Sequence, residues 1–308
     1  TAPPQRVEVV RRARWVESNL TGLRPLFEPV ANRMSELLRS AREQESPGAA
    51  EGGMMIEAVL GQLGPLLMGA QVGTVMGQLG TRVLGNYDLP VPRDEPSLHF
   101  VVPNIAAFEK EWSLEPDEFR AWVAMHEVAH ATGLHRPWVR GHVVGLVKEL
   151  AEGMELDLSG LEARLGSVDP SNPQALSEAL GDPSELFGGE PTGERKILAD
   201  RLRAFVIAAE GHAGHVLLTV GRHRLSSFAR IEEAMRRRHE DRSQEERMAD
   251  RLLGLELEPD QYRLGERFCE TVEERTDAVT LARMWDSAEA FPSMPELEEP
   301  TLWLSRTA

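Results

Sequence analysis

Residues 116–133 constrain the fold of this chain more than any other segment, because they combine an amphipathic helical pattern with two histidines one turn apart. Pro116 stands where a helix tolerates proline, in its first turn. Asp117 and Glu118 suit the positively charged end of a helix. Apolar residues then recur at helical spacing, namely Phe119, Trp122, Val123 and Met125. The segment therefore predicts a helix that ends near Gly133.

Within that helix, residues 125–130 read Met-His-Glu-Val-Ala-His and contain the pattern His-Glu-x-x-His. Side chains four residues apart share a helix face, with β-carbons about 6 Å apart, so His126 and His130 can bind one tetrahedral ion. Glu127 would lie beside that ion and accept a proton from a zinc-bound water. The alternative is two histidines that bind no metal. We interpret the pattern as a zinc site with Glu127 as the catalytic base.

A catalytic zinc site needs a third protein ligand and an open position for water. His135 is one candidate, but the extended pattern HExxHxxGxxH requires a histidine where this chain has Arg136. Glu149 is a second candidate, because it follows His130 at the separation that some zinc peptidases use. Its surroundings form an ordinary helical pattern, so a solvent-facing Glu149 is the alternative.

Glu210 is the preferred third ligand, because it interrupts an otherwise apolar helical stretch over residues 205–217. A buried carboxylate is costly unless its charge is compensated, and a metal ion compensates it well. Gly211 and Gly214 would let another helix approach closely. Candidates for stabilising an oxyanion or orienting a ligand are Arg136, Arg140, His142, His212 and His215.

The remaining sequence predicts a mainly α protein of the α+β class, with a small β-sheet next to the active-site helix. Residues 98–102 form the clearest strand, which Pro103 ends, and an exposed edge there could bind a substrate peptide. The first fifty residues have a helical pattern. Further helices are predicted over residues 194–220, 226–253 and 261–290, with a loop over 43–53 and short elements over 156–193.

The composition of the chain bears on its binding partners and on its cellular compartment. The net charge of −16 disfavours nucleic acid, whose phosphates would be repelled. Cys269 is the single cysteine, so an intrachain disulfide is excluded, which fits a reducing cytosol. The N-terminal residues lack the apolar core of a signal peptide, and we expect a cytoplasmic protein. We expect one domain, 1–308, with an N-terminal helical part (1–95), a metal-site core (96–220) and a C-terminal helical part (221–308).

Residues 58–81 contain no charged side chain and are long enough to span a bilayer. Glycines at helical spacing, as in membrane helix pairs, add to that possibility: Gly69, Gly73 and Gly77. Pro65 and three glutamines argue against it. We therefore expect a buried helical pair in a soluble core, and membrane association is the disfavoured alternative.

Several short motifs together resemble one family of bacterial proteins. They include residues 85–89, Gly-Asn-Tyr-Asp-Leu, residues 102–105, Val-Pro-Asn-Ile, and residues 137–140, Pro-Trp-Val-Arg, beside the helix 119–130 and the Glu210-Gly211 pair. These motifs resemble the bacterial zincin-like metallopeptidases or hydrolases, a family sometimes linked to coenzyme F420 biosynthesis.

The resemblance implies a largely helical zincin-like fold, the HExxH motif as the metal site, and Glu210 as the third zinc ligand. In better-known zincins with a glutamate ligand, an acidic residue four positions later often holds a zinc histidine, but this chain has Gly214 there. The expected function is a zinc-dependent hydrolase, a metallopeptidase acting on a peptide or protein. The alternatives are a catalytically silent zincin-fold binding or scaffold protein and a membrane-peripheral protein.

Overall fold

The computed structural model describes residues 6–44, 64–93, 97–155, 192–241 and 259–307, and these are mainly helical with one small sheet. This confirms the predicted fold class. Most of the predicted loop over 43–53 and of the predicted short elements over 156–193 lies outside the described residues. The elements are β1 (Arg6–Val10), α1 (Arg12–Gln44), α2 (Gly64–Arg82), β2 (Ser97–Val101), α3 (Val102–Glu111), α4 (Pro116–Leu134), α5 (Pro137–Glu152), α6 (Gly193–Arg224), α7 (Phe228–Glu240), α8 (Pro259–Arg275), α9 (Ala278–Ala282), a 3₁₀ turn (Arg283–Trp285), α10 (Met294–Glu298) and α11 (Pro300–Thr307).

The sheet consists of β1 and β2, which pair in parallel from Arg6 opposite Ser97 to Val10 opposite Val101. The helical prediction for the first fifty residues is wrong for β1. Val7 and Val9 of this strand are 61% and 72% exposed and Val10 is its one buried apolar residue, so β1 has no apolar stripe that a sequence pattern could show. It forms because its backbone groups pair with a strand far along the chain.

The second edge of β2 is also occupied. The amide of Val101 donates to the carbonyl oxygen of Leu84 over 2.8 Å, and Gly85 forms an antiparallel bridge with Phe100. With β1 on one side and residues 84–85 on the other, β2 has no free edge at its C-terminal half. The binding of a substrate peptide along this strand stays a prediction, and at Phe100 and Val101 both edges already have partners.

Helix α4 carries the histidine motif and ends one residue later than expected. At the C-cap the amide of His135 donates to the carbonyl oxygen of Ala131 over 3.2 Å, and the amide of Arg136 donates to that of Gly133 over 3.0 Å. Gly133 is also a packing site, because a Cβ there would lie 2.4 Å from the Trp285 ring. The apolar face of α4 joins one buried cluster: Leu84, Ile105, Phe108, Leu114, Phe119, Trp122, Val123, Leu217, Leu225, Phe228, Ile231, Ala234 and Met235.

The single helix predicted over 261–290 is interrupted. Helix α8 ends at Arg275, and α9 begins only after Asp277, whose carboxylate accepts a hydrogen bond from the amide of Thr280. Aspartate at this position stabilises the start of a new helix, and it breaks the old one because its backbone is extended. The predicted continuation of α7 beyond residue 241 lies outside the described residues.

The uncharged segment is helical from Gly64 to Arg82, and residues 58–63 lie outside the described residues. A Cβ at Gly69, Gly73 or Gly77 would meet no atom within 4 Å, so these glycines do not mark a helix contact in the described structure. Among the described helices, α6 alone is long and apolar enough to cross a membrane by length and composition. Of its most apolar stretch 56% is buried in the fold, as in the core helix of a folded protein.

The chain divides into two compact units. The first contains Thr1–Arg24, Met76–Leu146 and Asp200–Ala308, and it holds the sheet, the histidine motif and the buried cluster. The second contains Pro25–Val75 and Val147–Ala199. In the second unit the Arg33 guanidinium donates to the carbonyl oxygen of Met154 over 3.0 and 3.3 Å. The single-domain organisation of residues 1–308 stays a prediction.

Helices α6 and α8 cross with their backbones in contact, and this crossing gives a stability prediction. A Cβ on Gly211 would lie 2.1 Å from the carbonyl carbon of Gly265. We expect Gly211→Ala to lower the free energy of unfolding by about 1–3 kcal/mol, because two backbones must separate. Gly141→Ala in α5 is the control, since its Cβ meets no atom within 4 Å, and we expect it to add up to about 1 kcal/mol. If urea denaturation gives Gly211→Ala and Gly141→Ala the same free energy of unfolding, the close contact between α6 and α8 is contradicted.

Glu118 in the first turn of α4 gives a prediction of pH dependence. Its carboxylate accepts hydrogen bonds from the amides and hydroxyls of Ser226 and Ser227, and these bonds lower its pKa from 4.5 to about 2. A lowered pKa means that the stabilisation is complete above pH 4.5 and is lost as the pH falls toward 2. We expect the unfolding temperature of Glu118→Gln to depend less steeply on pH in this window than that of the wild type. If the unfolding temperatures of the two proteins depend on pH in the same way, Glu118 does not form its hydrogen bonds with Ser226 and Ser227 in solution.

Candidate metal centre

The two histidines of the motif meet on one face of α4. Their ring centroids lie 4.7 Å apart with the ring planes at 65°. An aromatic ring stacks on each imidazole: Trp122 lies 5.5 Å from His126 at 12°, and Tyr87 lies 5.9 Å from His130 at 15°. The His130 residue is only 3% exposed. The structure thus brings the predicted imidazole pair together and encloses it between aromatic side chains.

Glu210 of α6 approaches this pair. Its Oε1 lies 3.9 Å from Nε2 of His130, and its side chain is mostly buried. Two atoms bound tetrahedrally about 2.1 Å from one ion lie about 3.4 Å apart, so a small shift would place both around a metal. Within the described ranges, no three His, Cys, Asp or Glu side chains already stand close enough to hold an ion. The residues are neighbours, and binding would have to draw them together.

The two other candidates for the third ligand have different surroundings. The ring of His135 is hydrogen-bonded through Nε2 to the hydroxyl of Tyr87, so that nitrogen is already engaged. Glu149 is exposed near the end of α5, in the second compact unit. Of the three carboxylate and imidazole candidates, Glu210 is the one whose contact with the motif is direct.

The carboxylate of Glu127 is held by the backbone of residues 84–88, which we call the Glu127 loop. Oε2 accepts a hydrogen bond from the amide of Asn86 over 2.9 Å, and Oε1 accepts one from the amide of Tyr87 over 3.0 Å. The residue is 1% exposed. Gly85 passes so close that a Cβ there would lie 2.3 Å from Cδ of Glu127. The loop therefore fits this carboxylate and leaves no room for a larger residue at position 85.

The Glu127 loop is itself braced by a buried ion pair. The Asp88 carboxylate accepts hydrogen bonds from the amides of Leu84 and Gly85, and Nη2 of Arg238 lies 3.5 Å from it. Burial opposes the charge of Asp88, but Arg238 and the other favourable contacts outweigh it and keep its pKa below the usual value. The indole of Trp15 donates to the carbonyl oxygen of Gly85 over 2.9 Å. These contacts fix the loop from outside the motif.

Burial sets the electrostatics of the motif. It lowers the pKa of His130 well below the ordinary value, and neighbouring His126 lowers it further, so the imidazole is neutral. Burial also raises the pKa of Glu127. For His126 burial opposes protonation, but the adjacent Glu127 carboxylate, 3.6 Å from Nδ1, outweighs it and the pKa rises. Metal binding needs neutral imidazoles, a state that His130 already has.

The candidates for oxyanion stabilisation are spread over several environments. His215 is hydrogen-bonded through Nε2 to the carboxylate of Glu273 in α8. His212 is buried against Trp285, with ring centroids 5.6 Å apart, and burial followed by the charge of His215 lowers its pKa to about 4. The remaining three lie on or next to α5: Arg136 is exposed, and Arg140 and His142 are half-buried.

Two contributors at this centre were not predicted from the sequence as site residues. Glu273 is one of many acidic residues on α8, and only the crossing of α6 and α8 pairs it with His215. Tyr87 entered the sequence analysis solely as part of the motif over residues 85–89. Its aromatic character beside Gly and Asp in a loop was an available signal, but no spacing rule connects that loop with α4.

No curated protein matches the chain. A solved structure from Chloroflexus aurantiacus, described as "a putative hydrolase with a novel fold", has 28% sequence identity and a TM-score of 0.63, over 99% of this chain and 82% of that chain. The model of the zincin-like metallopeptidase family matches residues 1–304, nearly the full length. The chain therefore belongs to the zincin-like metallopeptidase family, and that membership supports a zinc-dependent hydrolase in general.

Proposed function

We propose that the protein is a zinc metallopeptidase in which His126, His130 and Glu210 hold the metal and Glu127 is the general base. One observation carries the proposal: two imidazoles lie 4.7 Å apart on one helix, and a carboxylate from another helix lies 3.9 Å from the second of them. Two nitrogens and one carboxylate oxygen form a ligand set that catalytic zinc commonly uses.

The chemistry around the imidazole pair fits a bound cation. Burial lowers the pKa of His130, so the imidazole is neutral and can offer a ring lone pair to a cation, and its Nε2 faces Glu210. Glu210 is a mostly buried carboxylate whose negative charge a divalent ion would offset. When bound, zinc would supply Lewis-acid activation of water and of the scissile carbonyl.

Glu127 is placed to handle the proton in such a reaction. Its Oε1 lies 3.6 Å from the His126 ring, beside the proposed ligands. Oε2 accepts hydrogen bonds from the amides of both Asn86 and Tyr87, whereas Oε1 accepts one backbone bond, from Tyr87, and keeps a second lone pair. The carboxylate can therefore accept a proton from water and return it to the leaving amine while the Glu127 loop keeps hold of it.

A second candidate function is a catalytically silent binding or scaffold protein that keeps the metal. The observation that favours it is the way Glu127 is bound: the residue is 1% exposed, and its carboxylate accepts hydrogen bonds from two backbone amides. Such a carboxylate can serve the fold alone. Both candidate functions predict a bound metal, but only the metallopeptidase predicts hydrolysis of peptides.

Elemental analysis of protein purified without added metal tests the ligands. We expect about one zinc per chain in the wild type and a loss of zinc in Glu210→Ala, because two imidazoles alone bind zinc weakly. Glu149→Ala is the matched control and should keep its zinc. Loss of zinc from the Glu149 variant, with retention in the Glu210 variant, would overturn the choice of third ligand.

Hydrolysis of a broad peptide library by zinc-loaded protein tests the base. We expect Glu127→Gln to keep its zinc and to cleave about 10²–10⁴-fold more slowly, the range for loss of a general base. Because the glutamine retains one acceptor oxygen for the loop amides, circular dichroism should show a folded protein. A wild type that contains zinc and cleaves no peptide would favour the silent scaffold instead.

A further inference from the structure

His130 raises a question of orientation. A metal-binding histidine usually donates its second ring N–H to a carboxylate or carbonyl, and that bond fixes the direction of the ring. In the described part of the chain, Nδ1 of His130 has no such partner, although the residue is only 3% exposed. The residue four positions after Glu210 is Gly214, so it supplies no carboxylate. Packing must therefore fix this imidazole.

The Tyr87 ring provides that packing. It lies 5.9 Å from the His130 ring, centroid to centroid, with only 15° between the planes, so the two rings lie near-parallel and offset beside each other. The edge of the His126 ring meets His130 from a second direction. A buried imidazole held between two rings has little freedom to rotate, because close-packed interiors leave few alternative rotamers.

Tyr87 is itself held at three places. Its hydroxyl is hydrogen-bonded to Nε2 of His135 at the C-cap of α4. Its amide donates to Oε1 of Glu127 over 3.0 Å. The guanidinium of Arg93 lies 5.0 Å from the centre of its ring. Three contacts in different directions define the position of the whole residue, and two of them lead back to α4.

The protonation states agree with these contacts. Burial, followed by the charge of Arg93, lowers the pKa of His135 to about 4, so its ring is neutral and Nε2 can accept. Burial raises the pKa of the Tyr87 hydroxyl, which therefore stays protonated and donates. The hydrogen bond thus runs from Tyr87 to His135 throughout the neutral pH range.

We propose that Tyr87 is the positioning residue of the metal centre: its ring, anchored through His135 and Glu127, sets the direction of the His130 imidazole in place of a hydrogen bond. This inference rests on the proposed zinc site and names a further residue that the site requires. The Tyr87 side chain acts through His130.

Zinc affinity, measured by competition with a chromogenic chelator, tests the inference. We expect Tyr87→Leu, which removes the ring, to weaken binding about 10–100-fold, the usual effect of losing a residue that orients a ligand. Tyr87→Phe keeps the ring but loses the hydroxyl that contacts His135, so it should weaken zinc binding less than Tyr87→Leu does. Leu89→Ala is the matched control, because Leu89 is also buried, at 2% exposure, and follows the same loop. It should lower stability and leave zinc affinity unchanged.

Two further measurements separate positioning from general destabilisation. Urea denaturation of each metal-free variant gives its stability. In metal-free Tyr87→Leu, the NMR couplings that report χ1 of His130 should move toward a rotamer average, whereas in Leu89→Ala they should not. If Tyr87→Leu does not fold, Tyr87→Met fills a similar volume without an aromatic face and carries the same expectation.

Each outcome decides one question. Wild-type affinity in Tyr87→Leu, or an equal loss in Leu89→Ala, overturns the positioning role and leaves the proposed zinc site intact. A wild type that binds no zinc overturns the proposed function itself. Weak binding in the leucine or methionine variant, with tighter binding in the phenylalanine variant and normal binding in Leu89→Ala, supports the inference.

Discussion

The burial of one carboxylate organises the region around the motif. Glu127 points from α4 into the protein, where an unpaired carboxylate would be strongly destabilising. Two backbone amides of the Glu127 loop satisfy it, and they can do so only because Gly85 lacks a side chain. The loop in turn lies along β2, where Leu84 accepts a hydrogen bond from Val101. Motif, loop and sheet are therefore held together by the same carboxylate that the proposed chemistry needs.

The sequence predicted well those features that depend on local periodicity. Helix α4 begins at Pro116 as expected, because proline, the acidic first turn and the apolar stripe act within a few residues of one another. Strand β1 was missed, since it depends on pairing with residues about ninety positions later and exposes both Val7 and Val9. The helix end near Gly133 is confirmed, but the packing of Gly133 could not be predicted for a related reason: its neighbour Trp285 is distant in sequence.

In the candidate site, too, local sequence predicts some features, whereas others depend on distant residues. The spacing of His126 and His130 follows from helix geometry alone, and the structure places the rings as close as that spacing implies. Glu210 could be singled out because a carboxylate in an apolar stretch is unusual, and it does lie beside His130. The amides that hold Glu127 could not be predicted, because every residue has a backbone amide and no residue type marks these two. Tyr87 lies in that same loop.

The hydrogen bonds to Glu127 also restrict the rotation of its carboxylate. In a site where the carboxylate moves freely, proton transfer and substrate binding can both involve its rotation. Here rotation would leave two buried amides without acceptors, at a cost of about 1–3 kcal/mol each. In the proposed reaction the carboxylate would therefore act without rotating, and the reacting water would have to approach it. The loop is also held to β2, because displacing it there would leave the amide of Val101 without its acceptor, the carbonyl oxygen of Leu84. A substrate of the proposed reaction would therefore have to approach Glu127 without displacing this loop.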